Sequence, residues 1–310
     1  MDLKSTLWTE KYRPKAITDY VFSDPQQKLQ IENWIEKQDI QNVIFYGPAG
    51  TGKTTLVKVL VNELNIDPYD FLMINASRER SIDVIRNQVS SFAATMPFGR
   101  MKILALDEFD GATPEAQAAL KAVIEMYPLC RWLFTANSKN RIIPPIHSRC
   151  QSMEIAKLDI TEYTTRAAQI LVDENIDFDL ETLDIYVKAY WPDLRKCINS
   201  LQLNSIDGKL ISPSSVNSSS ADYKLIALTL FKDKKYREAR KIVCEQIRPE
   251  ETDDFFRFLY DNLHLFGNTP EQLDQAIIVI KNNLVKIPLA ADHEILISAT
   301  ITELMQIATS

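Results

Sequence analysis

The chain is 310 residues long, 45% hydrophobic and 25% charged, with a formal net charge of −7, which is too long for one ordinary domain and composed like a soluble globular protein. The acidic balance excludes a free-standing basic nucleic-acid binder: residues 1–155 are charge-neutral, while 156–220 carry −4 and 221–310 carry −3, so any DNA contact needs a local patch. No apolar run approaches a membrane span, Met1-Asp2-Leu3-Lys4 leads into no signal-peptide core, and Cys130, Cys150, Cys197 and Cys244 lack CxxC or metal spacing. Reduced thiols in a cytoplasmic protein, without zinc, are the expectation.

In chain order, Trp8–Pro14 reads as an ordered amino-terminal arm, and Pro25–Glu36 as an amphipathic helix with Leu29, Ile31, Trp34 and Ile35 apolar. Val43-Ile44-Phe45-Tyr46 is a buried strand; after Gly47-Pro48-Ala49-Gly50-Thr51-Gly52-Lys53-Thr54 comes the helical pattern Leu56, Val57, Val59, Leu60, Leu64. Phe71–Asn75 is the second strand, followed by a polar connection, Ala76–Ser81, and a helix over Ile82–Ala94. Met101–Leu106 is the third strand, stopping at Asp107-Glu108-Phe109-Asp110. A helix starts at Pro114, a residue suited to a first helical turn, with Ala116, Leu120, Val123 and Tyr127 on one face. Arg131–Ala136 is the fourth strand, a short helix spans Ile142–His147, and the fifth strand lies near Gln151–Ile155.

Strands alternating with helices imply a parallel sheet covered on both faces, with ligands beyond the strand carboxyl ends. From about residue 156 no strand pattern is convincing, and helices are predicted at Ile160–Glu174, Leu180–Tyr190 and Asp193–Leu203. The serine-rich stretch Ile211–Ser220 breaks periodicity and reads as a linker or loop. Four or five more helices follow, with apolar faces such as Phe255, Phe258, Leu259 and Ile277, Ile280, Leu284 suited to a bundle or an oligomer interface.

The stretch Gly47–Thr54 matches GxxxxGKT between a strand and a helix, the context of a phosphate-binding loop. Its glycines let backbone N–H groups converge on phosphate oxygens, and the helix amino terminus adds donors and partial positive charge. Lys53 reaches the β- and γ-phosphates and the Thr54 hydroxyl ligates Mg²⁺; the chain binds a nucleoside triphosphate. Asp107 at the next strand end is placed to hold the Mg²⁺, and Glu108 to polarise an attacking water. Asn137, at a neighbouring strand end, is a polar group aimed at the γ-phosphate, or simply a turn-forming asparagine. Arg149 in Ser148-Arg149-Cys150 and Arg195 in Pro192-Asp193-Leu194-Arg195 are, taken alone, ordinary surface arginines.

Taken together and in this order, Lys11-Tyr12-Arg13-Pro14, Gly47–Thr54, Asp107-Glu108, Thr135-Ala136-Asn137, Ser148-Arg149-Cys150 and Pro192–Arg195 resemble the AAA+ clamp-loader family. The likeness is to replication factor C small subunits and, most closely, to the phage version; it covers residue 8 to about 203. It implies a P-loop ATPase domain over residues 1–155, a small helical lid over 156–220, and an all-α collar over 221–310 that assembles a five-membered ring. It implies ATP and Mg²⁺, with Tyr12, Arg13, Pro14 and Val21 beside the base and Gly47, Pro48, Ala49, Gly50, Thr51, Gly52, Lys53, Thr54 and Thr55 around the phosphates. Asn137 matches sensor 1, Arg149 the arginine finger acting on a neighbour's ATP, and Arg195 sensor 2. Gln117 resembles a glutamine coupling DNA contact to the catalytic site.

DNA contacts are implied at Arg78, Arg80, Ser81, Arg86, Gly111 and Thr113, while Met96-Pro97-Phe98 and the Phe109 turn offer hydrophobic side chains to a sliding clamp. The implied function is DNA-stimulated ATP hydrolysis that opens the clamp and leaves it on primer–template DNA. Another AAA+ machine, such as a helicase loader or remodelling ATPase, and a non-hydrolysing scaffold subunit are the alternatives. Three departures stand out: Arg78-Glu79 replaces the usual aspartates, Pro192 the usual glycine, and Phe22-Ser23 a glycine-containing pair.

Overall fold

A computed structural model describes residues 7–78, 82–212 and 222–309, without the side chains of 82–86. The chain divides into two compact units, Met1–Tyr163 with Pro192–Asn199, and Thr164–Trp191 with Ser200–Ser310.

The first unit is built on a five-stranded parallel sheet. Its elements are α1 (Trp8–Lys11), α2 (Pro25–Lys37), β1 (Val43–Tyr46), α3 (Lys53–Glu63), β2 (Phe71–Asn75), α4 (Ile82–Ala94), β3 (Lys102–Asp107), α5 (Pro114–Met126), β4 (Cys130–Ala136), α6 (Pro144–His147) and β5 (Gln151–Glu154). The spatial order is β2-β3-β4-β1-β5, and every pairing is parallel. Successive residues of a strand face opposite sides, and the two cores follow from that. Ile44, Leu104, Leu106, Trp132 and Phe134 pack with Val89, Leu120, Val123 and Ile146 on one face. Val43, Phe45, Ile103, Ala105 and Leu133 pack with Ile31, Trp34, Leu56 and Leu60 on the other. The chain leaves β1, crosses to β2 and returns through β3 to β4, so the strand order reverses beside β1, the position where such sheets open a ligand crevice.

The expected elements recur with small shifts. Strand β3 extends to Asp107 because that residue pairs with Asn75 of β2. Helix α6 starts at Pro144 rather than Ile142, since the residue before a proline is driven to an extended conformation and Ile143 sits at φ −68°, ψ 146°.

Helices α7 (Ile160–Asp173), α8 (Leu180–Tyr190) and α9 (Leu194–Leu203) follow. In the second unit a hairpin, β6 (Ser205–Ile206) with β7 (Lys209–Leu210), departs from the all-helical reading of this region. Asp207 and Gly208 both have positive φ, 51° and 74°, the Asp-Gly signature of a tight hairpin turn; strands of two residues leave no periodicity to detect. The remainder is helical: α10 (Tyr223–Lys232), α11 (Tyr236–Gln246), α12 (Thr252–Asp261), α13 (Pro270–Leu284) and α14 (His293–Thr309). Their core is rich in aromatic side chains, among them Phe231, Phe255, Phe256 and Phe266. Ile278, Val285, Leu289 and Ile295 remain exposed.

Candidate active site

The glycine loop leaves the carboxyl end of β1 and enters α3. Gly50 has φ +77°, and a Cβ there would lie 2.2 Å from Asp193 Oδ1 and 2.7 Å from Asp193 Cα, so only glycine lets the loop meet the Pro192–Arg195 segment. Asp193 also accepts the Lys196 N–H at 3.1 Å, fixing the first turn of the helix that carries Arg195. Lys53 is buried, its Nζ donating to the carbonyls of Gly47 (2.8 Å) and Pro48 (2.6 Å). Burial lowers its pKa to about 8, although Asp110, Asp107 and Asp193 favour the charged form; Arg195 adds to the lowering.

Thr54 Oγ1 donates to Asp107 Oδ1 at 2.7 Å, and Thr135 Oγ1 donates to the same oxygen. The hydroxyl and carboxylate expected to hold Mg²⁺ therefore converge, and hard oxygen donors of this kind suit that ion. Thr135 Oγ1 accepts the Glu108 N–H at 3.0 Å, tying the end of β4 to the turn after β3. Glu108 stands at φ +53°, a conformation that costs a non-glycine residue energy and recurs at functional sites. A cavity of about 140 Å³ is lined by Gly50, Lys53, Thr54, Glu108, Asn137 and Arg195 together with Asp107 and Asp193.

Sequence reasoning passed over Asp110. Its Oδ2 accepts the N–H groups of Asn137 and Ser138, both at 3.2 Å, so the Asp107–Asp110 turn positions the residue at the end of β4. A third carboxylate in that short run was the available signal. Tyr20 was passed over too: its hydroxyl donates to Thr51 O at 3.4 Å, making it the arm's contact with the glycine loop. Tyr12, Arg13, Pro14 and Val21 do not line the cavity; Arg13 pairs with Glu10 at 2.6 Å. The arm is held along α3 through Ile17 N–H to Glu63 (2.8 Å) and Asn62 Nδ2 to Lys15 O (3.2 Å). Thr51 Oγ1 donates to Pro48 O within the loop, and Thr55 is buried inside α3.

The turn after β2 is organised by Asn75, whose Oδ1 accepts the N–H groups of Ser77 and Arg78, both at 3.0 Å, leaving Arg78 exposed. A Cβ on Gly111 would lie 2.4 Å from Ser77 Oγ, and Thr113 Oγ1 caps α5 by accepting Ala116 N–H. Arg78, Gly111 and Thr113 thus share one stretch of the sheet's carboxyl edge. Arg80 and Ser81 lie outside the described residues, as does the side chain of Arg86. Gln117 is buried and fully engaged: Nε2 donates to Ala112 O (3.1 Å) and Arg141 O (3.0 Å), and Oε1 accepts Ile143 N–H (2.9 Å).

Phe109 is corrected as a surface contact: it is completely buried and packs on Phe134 with ring centroids 4.6 Å apart. Tyr69, Met96 and Phe98 are exposed. The loop carrying Phe98 is fastened by buried Asp70, which accepts the N–H groups of Phe98 (3.0 Å) and Gly99 (2.7 Å).

Arg149 lies elsewhere. It precedes β5 at the amino edge of the sheet, where Gln151 N–H donates to Asn42 O at 2.8 Å and Asn42 Nδ2 donates to Arg149 O at 3.4 Å. The glycine loop starts at the opposite end of β1, four residues or about 13 Å away. Cys150 beside it is no reactive thiol, since burial pushes it up to about 12.

A model of the AAA family, the ATPase family associated with various cellular activities, matches residues 43–158. The replication factor C small subunit of Picrophilus torridus is 39% identical over 235 residues, covering 72% of this chain and 73% of its own length. That of Methanocella arvoryzae is 36% identical over 201 residues, covering 63% and 62%, and that of Thermoplasma volcanium 34% over 253 residues, covering 76% and 77%. These relatives are archaeal, and they do not support the phage likeness expected from the sequence. Among solved structures, the RuvB Holliday junction branch migration motor of Thermotoga maritima superposes with a TM-score of 0.55 at 15% identity, over 76% of this chain and 80% of that one, a likeness of fold alone.

Proposed function

The chain belongs to the replication factor C small-subunit family of clamp-loader AAA+ ATPases, and from that premise we propose that it hydrolyses ATP within a ring of subunits to open a sliding clamp and leave it on primer–template DNA. The observation that carries the reading is the polar cavity in which Lys53, Thr54, Asp107, Glu108, Asn137 and Arg195 meet. Lys53 and the loop N–H groups bind the phosphates, and Thr54 and Asp107 are the residues that hold Mg²⁺. When bound, that ion supplies neutralisation of charge on the β- and γ-phosphates. Glu108 accepts the proton of the attacking water, oriented by Asn137, and Arg195 reaches the γ-phosphate. A complete water-activating set of this kind weighs against a non-hydrolysing scaffold.

Arg149 acts on the ATP of the next subunit. Its position at the sheet edge opposite the chain's own glycine loop supports action in trans, because an arginine side chain cannot cover that distance. In this reading residues 1–155, 156–220 and 221–310 are the ATPase domain, lid and collar, with the exposed Ile278, Val285, Leu289 and Ile295 available to the ring. Tyr12, Arg13, Pro14 and Val21 lie beside the base, and the Arg78 turn with Gly111 and Thr113 meets DNA phosphates through cationic and N–H donors that carry no sequence information. Tyr69, Met96 and Phe98 form the apolar tip offered to the clamp.

The test is steady-state ATP hydrolysis with and without clamp and primed DNA. Stimulation by both together is expected. Arg149→Ala should abolish turnover in the ring while ATP binding to an isolated subunit persists; arginine fingers contribute about 10³–10⁵-fold where measured. Loss of ATP affinity in isolated Arg149→Ala subunits, as severe as in Lys53→Ala, sinks the trans assignment.

A further inference from the structure

We infer that Glu125 is a positioning residue for the arginine finger, holding the Arg149 guanidinium for delivery to the neighbouring subunit; the inference rests on the trans role of Arg149 proposed above. Arg149 Nε donates to Glu125 Oε1 at 2.8 Å and Nη2 donates to the same oxygen. Nη1 donates to Pro145 O at 2.6 Å and to Ser148 Oγ at 2.9 Å. Every guanidinium nitrogen is therefore engaged, and four of the five N–H donors have partners within the same unit. An arginine has many rotamers to lose, and its planar fork turns fixed partners into fixed orientation.

Two features of the sequence context point to Glu125 serving Arg149 rather than its own helix. It lies in the last turn of α5 (Pro114–Met126), a turn with no basic residue of its own; that end carries the negative pole of the helix dipole, where a carboxylate is disfavoured. Its pKa is nonetheless held below the ordinary carboxylate value, first by the hydrogen bond from Arg149 and then by that residue's charge, with Lys121 one turn earlier on α5 adding the smallest share. The rest of the arginine's cradle comes from α6, whose carbonyl at Pro145 and whose following Ser148 precede β5 by a few residues. Arg149 is thus gripped between the end of α5 and the end of α6, both at the amino edge of the sheet. A charge-stabilising group works in catalysis when it is held in place before the reaction rather than recruited during it, and this grip does that for a residue whose target is on another chain.

The experiment uses the reconstituted ring with clamp and primed DNA, comparing wild type, Glu125→Ala and Glu125→Gln. Releasing the guanidinium should lower kcat about 3- to 30-fold, the loss expected when a rotamer-rich arginine must be ordered at each turnover. KM for ATP should not move, because Glu125 is remote from the chain's own cavity. Glu125→Gln keeps the accepting oxygen and should recover most of the rate. Mixed rings assign the effect to one side of an interface. In a ring of Lys53→Ala and Arg149→Ala subunits, the Lys53→Ala chain supplies the finger. Adding Glu125→Ala to that chain should lower turnover, and adding it to the Arg149→Ala chain should not. Turnover at or above wild type for Glu125→Ala, or equal loss from either side of the mixed ring, overturns the inference while leaving the trans finger standing. An inactive parent mixture overturns the trans finger itself, and Glu125 with it.

Discussion

Replacing Gly50 with alanine isolates the contact on which the cavity depends. The residue stands at φ +77°, which costs an L-residue about 1–2 kcal/mol. The new Cβ would also lie 2.2 Å from Asp193 Oδ1 and 2.7 Å from Asp193 Cα. A flexible carboxylate can rotate away, but a main-chain carbon cannot, so the Pro192–Arg195 segment must withdraw from the loop at an overpacking cost of about 1–3 kcal/mol. Withdrawal carries Arg195 out of the phosphate cavity. The two terms together, about 2–5 kcal/mol, weaken ATP binding by about 5- to 60-fold if half of the cost falls on the bound state. Gly208→Ala is the matched control: φ is +74° but no atom lies within 4 Å of the added carbon, so it carries only the backbone term of about 1–2 kcal/mol, a fall of about 2–8 °C in Tm, with ATP affinity intact. Thermal melting and ATP titration of both variants decide the matter. If Gly50→Ala matches Gly208→Ala in both assays, the segment does not seal the cavity and the placement of Arg195 is wrong.

Glu108→Gln should keep ATP binding and clamp opening and lose about 10²–10⁴-fold in hydrolysis, the usual yield of a general base; near-normal turnover removes Glu108 from the mechanism. Burial places the Lys53 pKa near 8 against an ordinary 10.5, so the folded chain holds fewer protons across that window and its stability contribution rises with pH there. ATP affinity should move the other way, falling by up to about tenfold per pH unit above 8 as the ammonium is lost, and a flat titration from pH 7 to 9.5 contradicts a charged Lys53 on the phosphates. Changing Arg78 and Arg80 together to alanine should weaken DNA binding equally for all sequences and flatten its salt dependence by about one unit of slope per lost phosphate contact; an unchanged slope moves the DNA path elsewhere.

The glycine loop of the candidate phosphate site was legible because its parts are local. Strand, glycine loop and helix are contiguous in Val43–Leu64, and the dihedral demands of such a loop fall on residue types that can be read directly. Asp107, Glu108 and Asn137 were legible for a related reason, since each ends an apolar strand and a parallel sheet collects strand ends at one edge. What escaped depended on long-range geometry. Asp110 caps the backbone after β4 from 27 residues away, and Tyr20 reaches Thr51 across 31; no spacing rule announces either. Phe109 misled because a phenylalanine in an acidic turn looks like a surface aromatic, yet the short helical turn at Phe109–Gly111 points its ring inward onto Phe134. The hairpin at Ser205–Leu210 escaped because its strands are shorter than any periodic signal.

The sheet's polarity gives a physical reason why a protein of this architecture should work only in company. Each parallel strand has one edge where loops collect phosphate-binding groups, and in this chain that edge is furnished by β1, β3 and β4 with Lys53, Asp107 and Asn137. The return segment that pairs β5 with β1 enters at the other edge, and Arg149 is fixed there by its neighbours in sequence before any question of catalysis arises. A cation anchored at the amino edge cannot serve charge that develops at the carboxyl edge of the same sheet, whatever rotamer it adopts. It can serve a second sheet whose carboxyl edge is brought against it, and repeating that arrangement generates a head-to-tail series, the heterologous contact from which rings and spirals are built. On the proposed trans role of Arg149, each interface completes one active site, so turnover reports on the geometry between subunits, and a change that leaves every isolated chain folded and able to bind ATP should still silence the assembly.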